Sequence, residues 1–333
     1  MEDNMKYGIV GAGIWGTVFG NYLSNKGLDV KIWAYEKEVV NSINNFNENS
    51  MYFREAKLNK NLNATNELDE VCNRDVLINA VPVQFMDEVW KLTNLDSKKI
   101  IINLSKGIEI GTMNFPVDII KKYCADSLIY ILSGPSFAEE VYEKMHTAVV
   151  LAGDINKTAK KIQKQLSSNF FRVYLNEDAL GVELSSALKN VMAIASGMIE
   201  GLGLGKNTRS ALITRGLAEI TRLGKQIGAD MKTFSGLAGM GDLILTCTDS
   251  KSRNYSFGKL LAKNYSADDA LNNAGGIVEG YYTVKNAEDL SQKFSVEMPI
   301  TKAVYDVIYN NAEIENIINR LMQRELKNEL WGL

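Results

Sequence analysis

The strongest constraint on the fold lies between residues 7 and 33. Tyr7-Gly8-Ile9-Val10 is a short apolar strand, and Gly11-Ala12-Gly13-Ile14-Trp15-Gly16 comes directly after it. A helical stretch over residues 17–26 and a second strand over 29–33 complete the unit. A GxGxxG by itself marks only a glycine-rich turn. Between a strand and a helix in one βαβ unit, it is the fingerprint of a loop that cradles a dinucleotide. Gly11 permits the tight turn, Gly13 lets the backbone approach a pyrophosphate, and Gly16 lets the helix lie against the strand. The helix start adds free N–H groups and partial positive charge.

An acid about 20 residues further on would accept from a ribose 2′-hydroxyl. Glu36, after Trp33-Ala34-Tyr35, stands near that place. Its carboxylate would repel a 2′-phosphate, which favours NAD over NADP. The competing reading is a solvated glutamate at the start of the next helix, and Lys31 and Lys37 are close enough to weaken the electrostatic argument.

Further strand-like runs cover residues 76–81, 100–104, 128–132, 148–152 and 171–175, and helical stretches separate the earlier ones. This alternation predicts an α/β, Rossmann-like doubly wound N-terminal domain with extra strands at one edge. In such sheets ligands lie beyond the carboxyl ends of the strands. Pro82, Lys106 and Ser136 each come just after a strand, so they are expected to converge on one crevice. Lys106 is an anion or substrate contact, or else a surface turn lysine.

Beyond residue 178 the β-branched runs largely stop and helical patterns dominate, which predicts an all-α C-terminal domain. The expected division is therefore 1–178 and 179–333, in line with the about 150 residues of an average domain. Ala179–Gly201 is apolar all round, as in a buried helix, and carries Lys189 beside Asn190. A buried ammonium is costly unless paired or deprotonated, and a second cation such as Lys106 would lower its pKa further. Lys189 is thus a candidate acid–base group, the alternative being a lysine pointing outward. The sequence has 1 histidine, His146, before an apolar run, where a loop-end residue is expected rather than a catalytic one.

The glycines at 201–205 break the chain, Asn207 or Thr208 is expected to cap the next helix, and that helix spans 209–227. Residues 236–242 read as a flexible loop closing on Asp242, either an N-cap or a ligand for a substrate hydroxyl. Ser252-Arg253-Asn254 opens a further helix. Hydroxyl, guanidinium and amide there make a phosphate or carboxylate site, or only a capped helix start with incidental charges. Gly275–Gly280 is a glycine-flanked turn with one acid, and 313–333 reads as helix.

Composition removes other classes. The net charge of −3 gives no global basic field for nucleic acid or an anionic membrane, although a local cationic pocket stays open. The 3 cysteines form no CxxC pair, so no cysteine zinc site and no disulfide framework is expected. No apolar run reaches the roughly 18–20 residues that span a bilayer. The start, Met1-Glu2-Asp3-Asn4, is acidic where a signal peptide would be basic, so a cytoplasmic location without membrane insertion is expected.

These segments together resemble the bacterial type of NAD(P)-dependent glycerol-3-phosphate dehydrogenases. The likeness runs in order through Gly11–Thr17, Ala80-Val81-Pro82, Ser105-Lys106-Gly107, Ser133-Gly134-Pro135-Ser136-Phe137-Ala138 and Ala187-Leu188-Lys189-Asn190. It continues through Thr214–Glu219, Gly241-Asp242-Leu243, Thr246-Cys247-Thr248, Ser252-Arg253-Asn254 and Val278-Glu279-Gly280. The resemblance implies reversible reduction of dihydroxyacetone phosphate to sn-glycerol 3-phosphate, which supplies glycerophospholipid synthesis. Lys189 would be the general acid/base, Lys106 would polarise the carbonyl and hold the substrate, and Asp242 would receive a hydroxyl and orient Lys189. Ser252, Arg253 and Asn254 would bind the phosphate, with Gly134 and Ser136 as further substrate contacts. Ile14 and Trp15 would meet the pyrophosphate. Ala138 would contact the nicotinamide region, and Ile277 and Glu279 the ribose side, with Lys106 and Arg253 also touching the cofactor. No metal would be needed, because two ammonium groups serve as electrophile. A homodimer is implied as well.

Two positions depart from the family pattern. Ile14 stands where serine is usual, a contact made largely by backbone N–H. Tyr35 stands where arginine or histidine is common, so NAD is expected to be favoured over NADP. The rivals are a related β-hydroxy acid dehydrogenase, which a substrate panel separates, and a catalytically silent NAD(H)-binding sensor, which oxidation of NADH on adding the ketone eliminates.

Overall fold

The computed structural model describes residues 5–332 except 55, 94, 96 and 97. The acidic start, residues 1–4, lies outside the described residues. The described chain forms two compact units. One takes the residues up to Ser105 together with Pro116–Glu177, and the other takes Lys106–Phe115 and the residues from Asp178 onward. A single cut after residue 178 does not anticipate the transfer of Lys106–Phe115. Its cause is burial: Ile108 and Phe115 lie in the core of the second unit, and the Asn286 amide donates to the Ile108 carbonyl at 3.1 Å.

Among the described residues the first unit is built on eight strands. They are β1 (Tyr7–Val10), β2 (Val30–Trp33), β3 (Asn63–Thr65), β4 (Val76–Asn79), β5 (Ile100–Asn103), β6 (Leu128–Ser133), β7 (Thr147–Ala152) and β8 (Phe171–Asn176). One sheet contains them in the order β3-β2-β1-β4-β5-β6-β7-β8. Neighbours are parallel except β6 and β7. Tyr7 sits opposite Val30 on one side and Val76 on the other. β1 and β4 are buried on both faces, which is why they read as unbroken apolar runs. Among the described residues this unit has the helices α1 (Ile14–Asn25), α2 (Lys37–Phe46), α3 (Leu68–Cys72), α4 (Val83–Trp90), α5 (Pro116–Tyr123), α6 (Ala138–Tyr142) and α7 (Lys157–Leu166). The fold is Rossmann-like and doubly wound, with the order of strands reversing beside β1.

The second unit is helical. It contains α8 (Ala179–Gly201), α9 (Gly205–Ile227), α10 (Asp242–Thr248), α11 (Arg253–Leu261), α12 (Ala267–Asn273), α13 (Glu279–Lys293), α14 (Pro299–Tyr309) and α15 (Ile314–Met322). Asp178 caps α8 by accepting from the Gly181 N–H at 2.9 Å. Residues 181–199 of α8 are all buried, so this helix is the axis of the unit. Gly197 and Gly258 let α8 and α11 touch backbone to backbone. A Cβ on Gly197 would fall 2.0 Å from the Tyr255 carbonyl oxygen, and one on Gly258 2.0 Å from that of Ile194.

Three local expectations fail here. Neither Asn207 nor Thr208 caps α9, which begins earlier; the Thr208 hydroxyl donates back to the Leu204 carbonyl at 2.9 Å. Residues 236–242 are no loose loop. Leu237–Gly241 forms a π-helical turn packed on Phe234, leading directly into α10. The C-terminal helix stops at Met322, because tertiary contacts hold the segment beyond it: Arg324 and Lys327 pair with Glu297, and Trp331 lies against the Arg222 guanidinium. Among the described residues no helix is long and apolar enough to cross a membrane.

Candidate active site

The glycines of the first loop behave as their spacing requires. Gly11 has φ +109°, and a Cβ there would lie 2.9 Å from the Ala80 carbonyl. A Cβ on Gly16 would fall 2.0 Å from the Gly11 oxygen, so any side chain would push α1 off the loop. Gly13 is different: among the described residues nothing lies within 4 Å of a Cβ built on it. That space is where a ligand would approach the backbone. Gly13 also precedes α1 without a side-chain cap among the described residues, so the first N–H groups at Ile14 and Trp15 suit a pyrophosphate. The loop therefore fits a dinucleotide.

At the end of β2 the Trp33 indole donates to the Asn66 carbonyl at 2.9 Å, and the Asn66 amide donates to the Ala34 and Tyr35 carbonyls at 2.8 and 3.3 Å. These bonds fix the backbone that presents Tyr35, which is 81% exposed. The half-buried Glu36 accepts from the Tyr52 hydroxyl at 2.7 Å. Lys31 does not compete for it, being paired with Glu70 at 2.5 Å.

Elsewhere in this unit Gly134 takes φ +138° against Val149, and the Ser136 hydroxyl donates to the Gly134 carbonyl at 2.9 Å. Ala138 opens α6, and Pro82 immediately precedes α4. His146 is exposed in the loop before β7, as its position in sequence predicts. A buried polar network, not anticipated from sequence, rigidifies the turn leading to Lys106. The Asn79 amide donates to Asn103 at 2.8 Å and to the Ser105 hydroxyl at 2.9 Å. The Trp90 indole donates to Asn79 at 3.0 Å, and Ser105 donates to the Val81 carbonyl at 2.5 Å.

The helical unit gathers the charged centre. Lys189 points inward and is 7% exposed. Its Nζ donates to Asp242 Oδ1 at 2.6 Å and to Thr246 Oγ1 at 2.7 Å. Lys106 Nζ donates to the other carboxylate oxygen, Oδ2, at 2.7 Å. Asp242, at the first position of α10 and only 1% exposed, thus bridges two ammonium groups. It is not the N-cap, a place held by Gly241. Burial lowers the Lys189 ammonium to about 8; Asp242 opposes the shift and Lys106 adds to it. Burial by itself would push the Asp242 carboxyl up, but Lys106 and Lys189 outweigh it and hold that carboxyl below the usual range. Thr246 carries no assigned role in the sequence motifs, although its i+4 spacing from Asp242 puts both on one face of α10. A lysine ammonium has three donors, and among the described residues two of those on Lys189 are taken, by Asp242 and Thr246.

Ser252 caps α11, accepting from the Tyr255 N–H at 3.3 Å. Arg253 is exposed, and a Cβ on Gly276 would lie 3.1 Å from its Nη1, so it runs beside the turn that carries Ile277 and Glu279. The Asn254 side chain is buried and engaged, its amide donating to Asn190 Oδ1 at 3.1 Å and its Oδ1 accepting from the Gly280 N–H at 2.8 Å. It ties α8, α11 and α13 together.

A dinucleotide loop on a doubly wound sheet and a lysine–carboxylate–lysine centre in a helical unit are the parts of a nicotinamide-dependent dehydrogenase. Comparison with known proteins narrows that class. Residues 6–159 match the family model described as NAD-dependent glycerol-3-phosphate dehydrogenase N-terminus, and residues 178–319 match its C-terminus. A relative from Thermotoga sp. (strain RQ2), named glycerol-3-phosphate dehydrogenase (NAD(P)+), is 43% identical across 98% of this chain and 100% of its own. One of the same name from Staphylococcus carnosus is 40% identical across 97% and 99%. The crystal structure of glycerol-3-phosphate dehydrogenase from Coxiella burnetii superposes with a TM-score of 0.92 at 34% identity, covering 96% of this chain and 99% of that one. The chain belongs to the NAD-dependent glycerol-3-phosphate dehydrogenase family.

Proposed function

We propose that the protein catalyses reversible NAD(P)H-dependent reduction of dihydroxyacetone phosphate to sn-glycerol 3-phosphate, feeding glycerophospholipid synthesis. The observation that carries this reading is the Lys189–Asp242–Lys106 centre. A bound nicotinamide would supply or accept the hydride. The third donor on Lys189 hands its proton to the C2 oxygen as that oxygen gains charge, and takes it back in the oxidative direction. Lys106 polarises the same oxygen and holds the substrate. Asp242 keeps Lys189 protonated near neutral pH, against the burial that would strip its proton, and receives a substrate hydroxyl.

The phosphate lies at the start of α11, with the Arg253 guanidinium and the first N–H groups of the helix as donors. Because the Asn254 side chain is committed to Asn190 and Gly280, its backbone N–H is the better contact. Family membership supports the other assignments: Gly134 and Ser136 to substrate; Gly11, Gly13, Ile14, Trp15, Gly16, Tyr35, Glu36, Ala138, Ile277 and Glu279 to cofactor, with Lys106 and Arg253 also touching it. It alone supports the finer readings of a homodimer and a cytoplasmic location, which sedimentation and fractionation test.

Tyr35 and Glu36 support NADH over NADPH. Loss of NADH absorbance on adding dihydroxyacetone phosphate, repeated with NADPH, tests the whole reading. Rapid oxidation with NADH is expected; no oxidation with either cofactor would refute the activity, and a tenfold preference for NADPH would refute the cofactor choice. Arg253→Ala is expected to raise KM for dihydroxyacetone phosphate by about 10- to 100-fold, the worth of one charge-assisted hydrogen bond of ~1.5–3 kcal/mol. An unchanged KM would remove that residue from the phosphate site.

A further inference from the structure

The turn after α2 belongs to no sequence motif, yet it touches two parts of the dinucleotide site. α2 ends at Asn47 in the left-handed conformation, φ 53°, which folds the chain back. The turn is pinned there: the Ser50 N–H donates to the Ser42 hydroxyl at 3.2 Å, and the Phe53 N–H to the Asn49 carbonyl at 2.9 Å. Asn49 is completely buried. Its amide donates to the Ala12 carbonyl, inside the glycine loop, at 2.9 Å and to the Thr17 hydroxyl, just after it, at 2.8 Å. Its Oδ1 accepts from the Tyr52 N–H at 3.0 Å. One buried asparagine therefore holds the loop and sets the place of Tyr52.

Tyr52 in turn donates its hydroxyl proton to Glu36 Oε1 at 2.7 Å. Glu36 occupies the N-cap of α2, but its side chain does not cap the helix, so the tyrosine holds a carboxylate that its own helix leaves unused. We infer that the turn at residues 49–52 is the clamp that sets 2′-hydroxyl against 2′-phosphate selectivity in the adenosine ribose site, with Tyr52 the specificity-determining residue and Asn49 a positioning residue. The inference rests on reading the loop as an NAD(H) site.

The chemistry is one of donors and charge. A ribose hydroxyl can donate to Glu36. A 2′-phosphate is mostly doubly ionised near neutral pH, so it donates poorly, and it brings a charge of about −1.5 to −2 against the carboxylate. An unheld glutamate can rotate away from that repulsion at the cost of little beyond a rotamer change; held by Tyr52, Glu36 must also give up a hydrogen bond to do so. The single hydroxyl proton of Tyr52 is already given to Glu36, so the phenol offers a phosphate only lone pairs. Burial, and then the Glu36 carboxylate itself, push the Tyr52 hydroxyl up to about 12, so it stays a donor across neutral pH.

Fluorescence titration of NADH and NADPH with the protein alone, without substrate, tests this in the wild type, Tyr52→Phe, Glu36→Gln and the double variant. Tyr52→Phe is expected to reduce the NADH-to-NADPH affinity ratio by about three- to tenfold with an unchanged melting temperature, and the double variant to match Glu36→Gln, because the two groups act through one bond. Asn49→Ala is expected to weaken both dinucleotides, since it loosens the loop they share, and also to reduce the NADH-to-NADPH ratio, since it releases Tyr52. If wild type prefers NADH and Tyr52→Phe keeps the same ratio, the clamp is wrong while the functional reading stands. If Tyr52→Phe changes the ratio as much in the Glu36→Gln background as in wild type, the proposed bond is likewise not the cause. If wild type binds neither dinucleotide, the functional reading falls and this inference with it.

Discussion

In the loop at residues 11–16 the protein prepares for its ligand by taking side chains away. At Lys189 it does so by burying charges drawn from distant segments. The loop needs three glycines and a helix start, all within six residues, and its donors are backbone N–H groups. The lysine centre joins positions 106, 189, 242 and 246, and each hydrogen bond in it spans at least 53 residues except those within α10. Backbone recognition tolerates exchange of any side chain that does not fill the space. A buried charge cluster tolerates almost none, because removing one member leaves its partners buried and uncompensated.

Lys189→Ala breaks the comparison at its costliest point. General acid–base groups contribute about 10²–10⁴-fold, and kcat is expected to fall by that amount. Cofactor affinity, which on the proposed reading rests on other residues, is expected to stay within about twofold. Steady-state kinetics with parallel NADH titration separates the two; kcat surviving within a fewfold would remove Lys189 from proton transfer.

Gly16→Ala is the matching blow to the loop. The new methyl would fall 2.0 Å from the Gly11 oxygen, so α1 must move and carry its N–H groups with it. Overpacking of about 1–3 kcal/mol translates to a roughly 5- to 150-fold weaker NADH complex. A titration showing unchanged affinity would mean that the helix start does not contact the dinucleotide.

The pH profile sharpens the other side. On the proposed mechanism reduction of the ketone needs Lys189 protonated, and its ammonium is lowered to about 8. Reduction is therefore expected to slow as pH rises through that value, by about tenfold between pH 7 and 9, while glycerol phosphate oxidation rises over the same window. The sign comes from burial: a depressed lysine pKa brings loss of the proton into the accessible range. A flat profile for both directions, with chemistry limiting, would place the titrating proton elsewhere.

The same contrast explains what is legible in the sequence. β1, the glycine loop, α1 and β2 are legible because a local pattern specifies them, and α8 is legible by its apolar circumference. β3 is not, since three residues at a sheet edge, one of them exposed, leave no periodic signal. The tail reads as helix to its end because propensity cannot foresee Arg324 and Lys327 leaving for Glu297. Sequence alone leaves Lys189 undecided between inward and outward orientation, and only the meeting with Asp242 decides it. Tyr52 gives no signal because its partner lies across a turn that no motif describes.

The smallest effect is the most discriminating test of the loop. Ile14 occupies a position where the family usually has serine, yet α1 begins there, and on the proposed reading its backbone N–H is the donor. Ile14→Ser adds one hydroxyl at an incompletely buried site and leaves the helix start in place. NADH affinity measured by fluorescence is therefore expected to shift by less than about threefold, within the few tenths of a kcal/mol to which surface changes away from special features usually amount. A gain of tenfold or more would show that a side-chain hydroxyl, rather than the backbone, carries the pyrophosphate contact. The loop would then obey the same side-chain rule as the lysine centre.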